Sequence, residues 1–453
     1  MLLLPVTYNA NRERTISVES LTNMQPEVTF GGRQPVALIT CPGLKQFSSA
    51  INPGIGRGII ESRGTLYAVI GSYLYKFSST GTATVVGNVY GSGLVGMSTS
   101  GTEIHIAAGG SGYICDTNTD TVTTITDSDY PNGKTTAFLN GRFITDDPTP
   151  GVGGRFYYSN VLNGTVWDAL NFDTAERKSD DALSVWAYGE SLVVFGTRSV
   201  EFWQGVADGF LPIPGALLPI GLGARYSVAE AAGSVFFMDN EGQVREMRGY
   251  QTAVVSTPAV NSLIAADSDA EATAYVYEGR TIYEISTSTD TICYDATTSA
   301  LIGKPVWFKR STNDSRHKLK GSCFAYGKVL SLGYDDGRVY ELTRNAMPDV
   351  REFTVQVPVD DDARRWLILD EVELIGRTGT GAIPDVDPQV MLRVSRDNGY
   401  TYGEEKWAGV GTVGQYDKRV RWRRFGRAQQ MSMKFRMTDQ YDWTVTGVRL
   451  RGR

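Results

Sequence analysis

Residues 64–70 read Gly-Thr-Leu-Tyr-Ala-Val-Ile, and residues 73–77 read Tyr-Leu-Tyr-Lys-Phe. Apolar side chains recur in alternation along both stretches, which is the pattern of a β-strand with a buried face. The leading glycine can adopt the positive φ that a tight hairpin turn requires. Together the two stretches predict a turn, a strand, a second turn and another strand.

This unit recurs along the middle of the chain. Seven copies begin at Gly64, Gly101, Gly141, Gly189, Gly233, Gly279 and Gly327. The glycines are 37, 40, 48, 44, 46 and 48 residues apart, close to the roughly 40 to 50 residues of a four-stranded propeller blade. The spacing therefore predicts a β-propeller of about seven blades over residues 51–349.

A closed ring gives a physical reason for such a repeat. One four-stranded sheet cannot bury both of its faces alone, whereas a ring stacks each sheet between two neighbours and leaves only short edges exposed. An irregular β protein whose hairpins happen to be evenly spaced is the alternative that the sequence leaves open.

The flanking segments differ from the repeat. Residues 350–453 contain longer alternating strands, such as Phe-Thr-Val-Gln-Val at 353–357 and Val-Met-Leu-Arg-Val at 390–394, and predict a second, sandwich-like β domain. Residues 1–50 are irregular, and we expect this arm to pack on the C-terminal domain or to close the ring. The prediction is thus an all-β chain of two domains and an arm.

Charge is distributed unevenly along the chain. The formal net charge is -6, which argues against general binding to nucleic acid. The segment from Glu404 to Arg453 nevertheless holds twelve basic and five acidic residues, so it carries +7 and the rest carries -13. Such a split favours a polarised subunit of an assembly over a uniformly charged enzyme.

No membrane segment, zinc pattern or disulfide framework is predicted. The four cysteines have no close spacing, as in proteins made in a reducing compartment. The apolar stretch Phe210–Leu222 contains three prolines, so we interpret it as a loop and not as a membrane helix.

Catalytic chemistry has little support in the sequence. The two histidines are His105 and His317, and neither lies in a recognised catalytic motif; packing is the expected role of His105 on its predicted strand. Residues 116–120, Asp-Thr-Asn-Thr-Asp, place oxygen atoms at some positions of a calcium loop, but Thr121 stands where such a loop needs glycine. A blade turn is the favoured interpretation. No cofactor or metal is predicted.

Residues 395–402, Ser-Arg-Asp-Asn-Gly-Tyr-Thr-Tyr, resemble the Asp-box of sialidases, whose carboxylate and hydroxyl groups stabilise a hairpin turn. The motif occurs once and outside the repeat. It supports the alternative of a glycan-binding or glycan-hydrolysing propeller only through this turn, since hydrolysis also needs paired carboxylates or a tyrosine nucleophile.

The strongest single motif is Tyr-Asp-Lys-Arg-Val-Arg-Trp-Arg-Arg-Phe-Gly-Arg at 416–427. On a strand, Arg419, Arg421 and Arg423 would project from one face, and Val420, Trp422 and Arg424 from the other. The guanidinium stripe would suit carboxylates of a partner subunit or phosphates of DNA; a solvated basic face is the alternative. The predicted interface residues are Arg419, Arg421, Trp422, Arg423, Arg424 and Arg427.

At this motif the chain resembles the packaged-DNA stabilisation, or tail-hub, proteins of short-tailed bacteriophages. The C-terminal pattern of that family has two parts and a following strand. The matching residues are Gly399, Tyr402, Gly403 and Glu405, then Tyr416, Asp417, Lys418, Arg419, Val420, Trp422, Arg424, Gly426 and Arg427, and finally Phe435.

The resemblance implies a structural, non-enzymatic protein in the virion tail. It further implies a homohexamer docked beneath an adaptor or connector ring, with a tail needle or plug below and tailspikes or fibres around it. Such a ring would close the channel behind the packaged genome, with transient contact to DNA. These expectations come from the resemblance and not from composition or spacing.

Overall fold

The computed structural model describes residues 4–11, 13–14, 16–29, 35–51, 54–175, 177–178, 180–265, 267–357, 366–381 and 385–452. Its first four strands belong to the N-terminal arm. They are β1 (Ser20–Thr22), β2 (Met24–Val28), β3 (Val36–Thr40) and β4 (Gly43–Gln46).

Seven antiparallel four-stranded units follow, and each is a blade. Blade 1 is β5 (Gly56–Ser62), β6 (Thr65–Ile70), β7 (Tyr73–Phe77) and β8 (Ala83–Asn88); blade 2 is β9 (Gly96–Thr99), β10 (Glu103–Ala107), β11 (Gly112–Asp116) and β12 (Thr121–Thr124); blade 3 is β13 (Thr136–Leu139), β14 (Arg142–Asp146), β15 (Arg155–Asn160) and β16 (Asn163–Thr174); blade 4 is β17 (Ala182–Tyr188), β18 (Ser191–Gly196), β19 (Val200–Val206) and β20 (Gly209–Leu218).

Blade 5 is β21 (Ala229–Ala231), β22 (Ser234–Met238), β23 (Val244–Arg248) and β24 (Gln251–Val254); blade 6 is β25 (Glu271–Tyr277), β26 (Arg280–Ser286), β27 (Thr291–Asp295) and β28 (Trp307–Thr312), which forms a small hairpin with β29 (Ser315–Arg316); blade 7 is β30 (Leu319–Ala325), β31 (Lys328–Gly333) and β32 (Val339–Thr343) with β4 of the arm as its outer strand. Two short helices, α1 (Pro258–Ile264) and α2 (Ala296–Ile302), lie between strands.

The glycine that begins each predicted unit occupies the turn between the first two strands of its blade. All seven glycines have positive φ, between 59° and 92°. In five of these turns the preceding residue also has positive φ, namely Arg63, Asn140, Ala232, Glu278 and Tyr326. Two successive positive φ angles define the type I′ turn, whose twist matches that of the flanking strands. The repeat in the sequence thus corresponds to one hairpin per blade.

Apolar packing between successive blades closes the ring. Tyr67 and Ile104 share a cluster between blades 1 and 2, and Val194 and Phe156 share one between blades 4 and 3. At the closure, Ile70 of blade 1 packs with Leu332 of blade 7. The prediction of an all-β propeller is confirmed.

The prediction that the stretch Phe210–Leu222 is a loop is wrong for most of its length. Its first part is strand β20 and not a loop. Pro212 is tolerated because β20 is the outer strand of blade 4, where a missing backbone N–H leaves no ladder bond unmade. Among the described residues, no helix is long and apolar enough to cross a membrane.

The C-terminal domain is a β-sandwich built with strands of the arm. Its remaining strands are β33 (Arg351–Val357), β34 (Leu367–Gly376), β35 (Gln389–Ser395), β36 (Lys406–Gly409), β37 (Val420–Ala428), β38 (Met431–Met437) and β39 (Thr444–Gly452). One layer runs β1-β33-β38-β35-β36, and the other runs β2-β3-β39-β34-β37. Phe353, Phe435 and Trp443 stack in the core between them.

One sheet runs from the propeller into the sandwich. Strand β1 pairs in parallel with β28 of blade 6 and antiparallel with β33, so blade 6 continues into the first layer as a sheet of ten strands. Asn23, which follows β1 and is fully buried, donates from Nδ2 to the carbonyl oxygens of Ser311 (2.9 Å) and Val350 (2.7 Å) and accepts from the Ser311 N–H. The arm therefore joins the two domains directly.

Replacing Asn23 with alanine tests this connection. The variant loses three hydrogen bonds in a buried site and places alanine at a φ of 53°. We expect the free energy of unfolding to fall by about 3 kcal/mol, of which about 1 kcal/mol comes from the backbone conformation.

Asn132→Ala is the matched control, since Asn132 also has positive φ (57°) but is exposed. It should lose only the backbone contribution of about 1 kcal/mol. Urea unfolding of both variants measures the difference, and equal losses would contradict the proposed role of Asn23.

Candidate assembly interface

The outer face of the second sandwich layer brings seven charged side chains together. Strand β34 lies between β37 and β39, and it places Glu371 opposite Arg423 and Arg451, and Glu373 opposite Arg421 and Arg449. Residues directly opposite in an antiparallel pair share a face. We call this group the arginine ladder: Arg419, Arg421, Arg423, Arg449 and Arg451 around Glu371 and Glu373.

Each carboxylate of the ladder contacts arginines on both sides. Arg419 binds Glu373 through two parallel bonds, at 2.5 Å from Nε and 2.8 Å from Nη2, and Arg449 approaches the same carboxylate at 3.3 Å. Arg423 donates to Glu371 at 3.0 Å, while Arg421 and Arg451 lie 3.7 and 3.5 Å from it. The ladder is thus already partly neutralised within the chain.

A positive surplus remains. The hydrogen bond from Arg423 lowers the pKa of Glu371, and the bonds from Arg419 lower that of Glu373, so both glutamates stay ionised near neutrality. Five arginines against two glutamates leave +3. Each guanidinium carries five N–H donors, and the side chains of Arg423 and Arg451 are 66% and 57% exposed. Donors therefore remain for carboxylates or phosphates of a partner.

A β-bulge interrupts the predicted alternation after Arg423. Arg424 and Phe425 together oppose the single residue Asp370, and Arg424 has a φ of 67°. Arg424 is therefore exposed, and the prediction that it projects with Val420 and Trp422 is wrong. Lys406 holds the bulge by donating from Nζ to the carbonyl oxygens of Arg423 and Arg424, each at 2.9 Å.

The prediction for Trp422 is also wrong. Its place in the basic motif predicted an interface role, but its side chain is buried in the sandwich core. Its indole N–H donates to the carbonyl of Lys406 at 2.9 Å, and its ring lies 5.7 Å from that of Phe435. Trp422 supports the ladder from beneath and is not available to a partner.

Arg427 extends the ladder at one end. Its guanidinium lies over the ring of Trp366 at 4.8 Å, and it pairs across the strands with Ile368. Trp366 and Ile368 are 54% and 40% exposed, so the charged face ends in an apolar surface. Exposed tryptophan beside arginine is typical of protein interfaces.

Four members of the ladder were not predicted from the sequence: Glu371, Glu373, Arg449 and Arg451. Glu371 and Glu373 lie about fifty residues before Arg419, Arg421 and Arg423, and Arg449 and Arg451 lie about thirty residues after those three. The available signal was the spacing of two residues within each pair, which puts both members on one face of a strand. The sheet order needed to bring the pairs together is not encoded locally.

Both histidines have structural roles. The imidazole of His105 lies 2.7 Å from the hydroxyl of Thr136 and 3.1 Å from that of Tyr130, and burial lowers its pKa to about 3. Arg310 donates to Nε2 of His317, so Nδ1 of that ring carries the proton that it shares with Glu284. His317 is therefore a neutral member of a buried network.

The Asp-box at residues 395–402 and the acidic run at residues 116–120 are both turns. Asp397 accepts hydrogen bonds from Ser395 and Thr401 of its own hairpin, which lower its pKa to about 2. Asp116 likewise accepts from the N–H of Asn118 at 2.8 Å, and Asp120 pairs with Lys76. Within the described ranges no three candidate metal ligands come together.

A cavity of about 260 Å³ lies on the axis of the ring and is lined by the first strands of the blades. Arg57 at its wall donates to the carbonyl oxygens of Gly71 (3.0 Å) and Val89 (2.7 Å). Lys320 in turn pairs with Glu271. The charged groups of this cavity thus have partners within the propeller, and neither histidine lines it.

The contribution of the ladder to stability should depend on pH. Because the pKa of Glu373 is lowered in the folded state, its contribution to stability is present above the ordinary value of 4.5 and is lost as pH falls through the lowered value. The melting temperature of Glu373→Gln should therefore lie below that of the wild type at pH 7, and the two should converge as pH falls below 4.5.

Glu241→Gln, at an exposed turn of blade 5, is the control and should differ little from the wild type at any pH. Thermal unfolding monitored by circular dichroism provides the measurement. A gap for Glu373→Gln that does not change with pH would mean that the ladder does not stabilise the sandwich by charge.

Comparisons with known proteins agree with this architecture. The model of the family Bacteriophage P22 Gp10, beta-propeller, matches residues 10–347, and that of Bacteriophage P22 Gp10, beta-sandwich, matches residues 352–453. The tail hub protein gp10 of Salmonella phage P22 is 23% identical over 438 residues, which cover 88% of each chain.

Solved structures show more distant likeness. The BamB protein of Moraxella catarrhalis is 12% identical, with a TM-score of 0.42 over 66% of this chain and 97% of BamB. A chain of the mitotic checkpoint complex is 9% identical, with a TM-score of 0.43 over 67% of this chain and 95% of that one.

The structure is a closed ring of seven blades with a sandwich that the arm completes. Two family models together span residues 10–453 with a short gap. The chain belongs to the Bacteriophage P22 Gp10 family.

Proposed function

We propose that this chain is a tail-hub subunit that docks beneath the connector ring of a bacteriophage, closes the DNA channel and carries the needle and the spikes or fibres. The tail-hub role and a place in the virion tail follow from family membership and from the similarity to the tail hub protein of phage P22. The role is mechanical and needs no catalysis.

The fold suits a load-bearing part. Every blade packs between two neighbours, and the ten-stranded sheet passes from blade 6 into the sandwich. Continuous hydrogen-bonded sheet resists bending where a flexible linker would not. A load applied to the sandwich would therefore be transmitted to the ring through β1.

The arginine ladder carries the proposed contact with a partner. Its outward surplus of +3 and its exposed guanidinium groups fit carboxylates presented by a protein subunit. Phosphates of the genome passing through the channel are the second candidate, because guanidinium groups bind them with the same geometry.

The proposed partners are those implied by the family resemblance. They are further copies of this chain in a hexameric ring, the adaptor or connector ring above, the tail needle or plug below, and tailspikes or fibres at the side. The side chains of Arg423 and Arg451 are more than half exposed, which leaves the ladder accessible for such contacts.

The Asp-box does not favour the glycan-processing alternative. The carboxylate of Asp397 accepts hydrogen bonds from its own turn, as expected for a structural Asp-box. The motif lies in the sandwich, away from the axial cavity of the propeller. Binding of bacterial surface sugars to the purified chain would revive this alternative.

Neutralising the ladder tests the proposal in assembled particles. In the double variant Arg421→Gln/Arg423→Gln, charge-assisted bonds worth about 1.5–3 kcal/mol each are lost. We expect particles to package DNA but to release it, with about tenfold or greater loss of DNA-filled, nuclease-resistant particles.

Arg248→Gln is the control. Arg248 is 69% exposed and pairs with Glu246 on blade 5, so the substitution removes a similar surface arginine outside the ladder. It should leave retention unchanged. Normal retention in the double variant, with the chain incorporated, would refute the assignment of the ladder as an assembly surface.

A further inference from the structure

We propose that the arginine ladder of one copy binds an acidic, apolar corner on blades 3 and 4 of a second copy. This inference rests on the self-assembly proposed above and specifies the two surfaces that meet. The blade 3–4 corner consists of Val161, Leu162, Asp168, Leu170 and Asp208.

The corner exposes large apolar side chains. Val161 and Leu162, in the turn between β15 and β16, are 53% and 73% exposed, and Leu170 is 82% exposed. Strand β16 leaves its register with β15 between Trp167 and Phe172 and bulges outward there. The backbone N–H of Leu170 donates to Asp168 at 2.9 Å, which holds the bulge in shape.

Hydrogen bonds join the parts of the corner into one surface. Asn171 in the bulge donates from Nδ2 to Asn160 at 2.9 Å, beside Val161. Asn140, in the turn that packs on Val161 and Leu162, donates to the carbonyl of Val206 at 2.9 Å. Val206 begins the turn of blade 4 that carries Asp208, so the acidic and apolar groups are neighbours.

Such a cluster is unusual on a solitary protein. Single exposed leucines are common, but several at one corner, flanked by charges, mark a contact surface. A surface of this composition needs a partner with its own apolar groups and with positive charge.

The C-terminal segment of a second copy has the positive charge that such a partner needs. Residues 96–254, which form blades 2 to 5, contain nineteen acidic and nine basic residues, a balance of -10. The segment from Glu404 to Arg453 carries +7. The chain is electrically polar, and copies in solution attract each other most strongly when the positive end of one meets the negative end of the next.

The composition of the two surfaces also matches. Trp366 and Ile368 lie beside the ladder and can cover the leucines of the corner. Arg423 and Arg427 can then pair with Asp168 and Asp208. Buried apolar groups would supply contact area, and the ion pairs would fix orientation.

The two surfaces cannot meet within one chain. The sandwich is joined to blades 6 and 7 through β1 and β4, whereas the corner lies on blades 3 and 4 across the ring. Contact between different patches on two copies is heterologous, and it produces a closed ring when the rotation between copies closes. This is a direct route to a ring-shaped hub.

Charge exchange between the two surfaces provides the test. A ladder variant, which changes Arg423 of the ladder and the adjacent Arg427 (Arg423→Glu/Arg427→Glu), and a corner variant, Asp168→Lys/Asp208→Lys, each create like-charge contacts. We expect each purified full-length variant to self-associate about a hundredfold more weakly than the wild type, as measured by sedimentation equilibrium. An equimolar mixture of the two should restore association, because each variant then meets a complementary surface.

Two controls guard against unfolding and nonspecific charge effects. Arg423→Gln/Arg427→Gln weakens association without adding negative charge beside Glu371, and circular dichroism confirms that each variant is folded. Glu190→Lys/Glu241→Lys changes the net charge as the corner variant does, at exposed turns outside the corner, and should associate like the wild type.

The outcomes separate this inference from the proposed function. A wild-type chain that stays monomeric throughout, a corner variant that associates normally, or a mixture that fails to recover would each overturn the pairing. If the ladder variant alone abolishes recruitment to the connector while the corner variant assembles normally, the ladder faces a different partner and the hub function stands.

Discussion

The ring closes only with a strand from the start of the chain, and the same arm builds the sandwich. A four-stranded blade buries its two faces only between neighbours. Blade 7 receives three strands from its own repeat, and β4 of the arm supplies the fourth by pairing with β32. The same arm contributes β1, β2 and β3 to the sandwich. The arm therefore takes part both in closing the ring and in building the sandwich.

This arrangement gives the ladder a fixed position relative to the ring. Strand β1 is bonded on one side to blade 6 and on the other to the sandwich. Arg351, fully buried at the start of β33, donates to the carbonyl oxygens of Pro348 and Tyr441 and fastens the entry to the sandwich. Because the domains are joined by sheet, a charge pattern on one can be placed accurately against a neighbouring subunit.

Much of the fold was predictable because it is encoded locally. The glycines at 64, 141 and 279 each occupy a turn that nearly requires positive φ, so the turn, the strand pair and the blade follow from short stretches. The stripe of Arg419, Arg421 and Arg423 was predictable from alternation along one strand, but the carboxylates and Arg449 and Arg451 were not, because they meet this stripe only through sheet order. The bulge at Arg424 and the burial of Trp422 likewise depend on the core beneath the strand.

The outer face of β34, β37 and β39 is proposed to be a contact surface in the assembled tail. An electron cryomicroscopy reconstruction of the tail, at a resolution that shows side chains, tests it most directly. If this face is a contact surface, density from another chain will lie within hydrogen-bonding distance of Arg421 and Arg423. A reconstruction in which this face is open to solvent would contradict it.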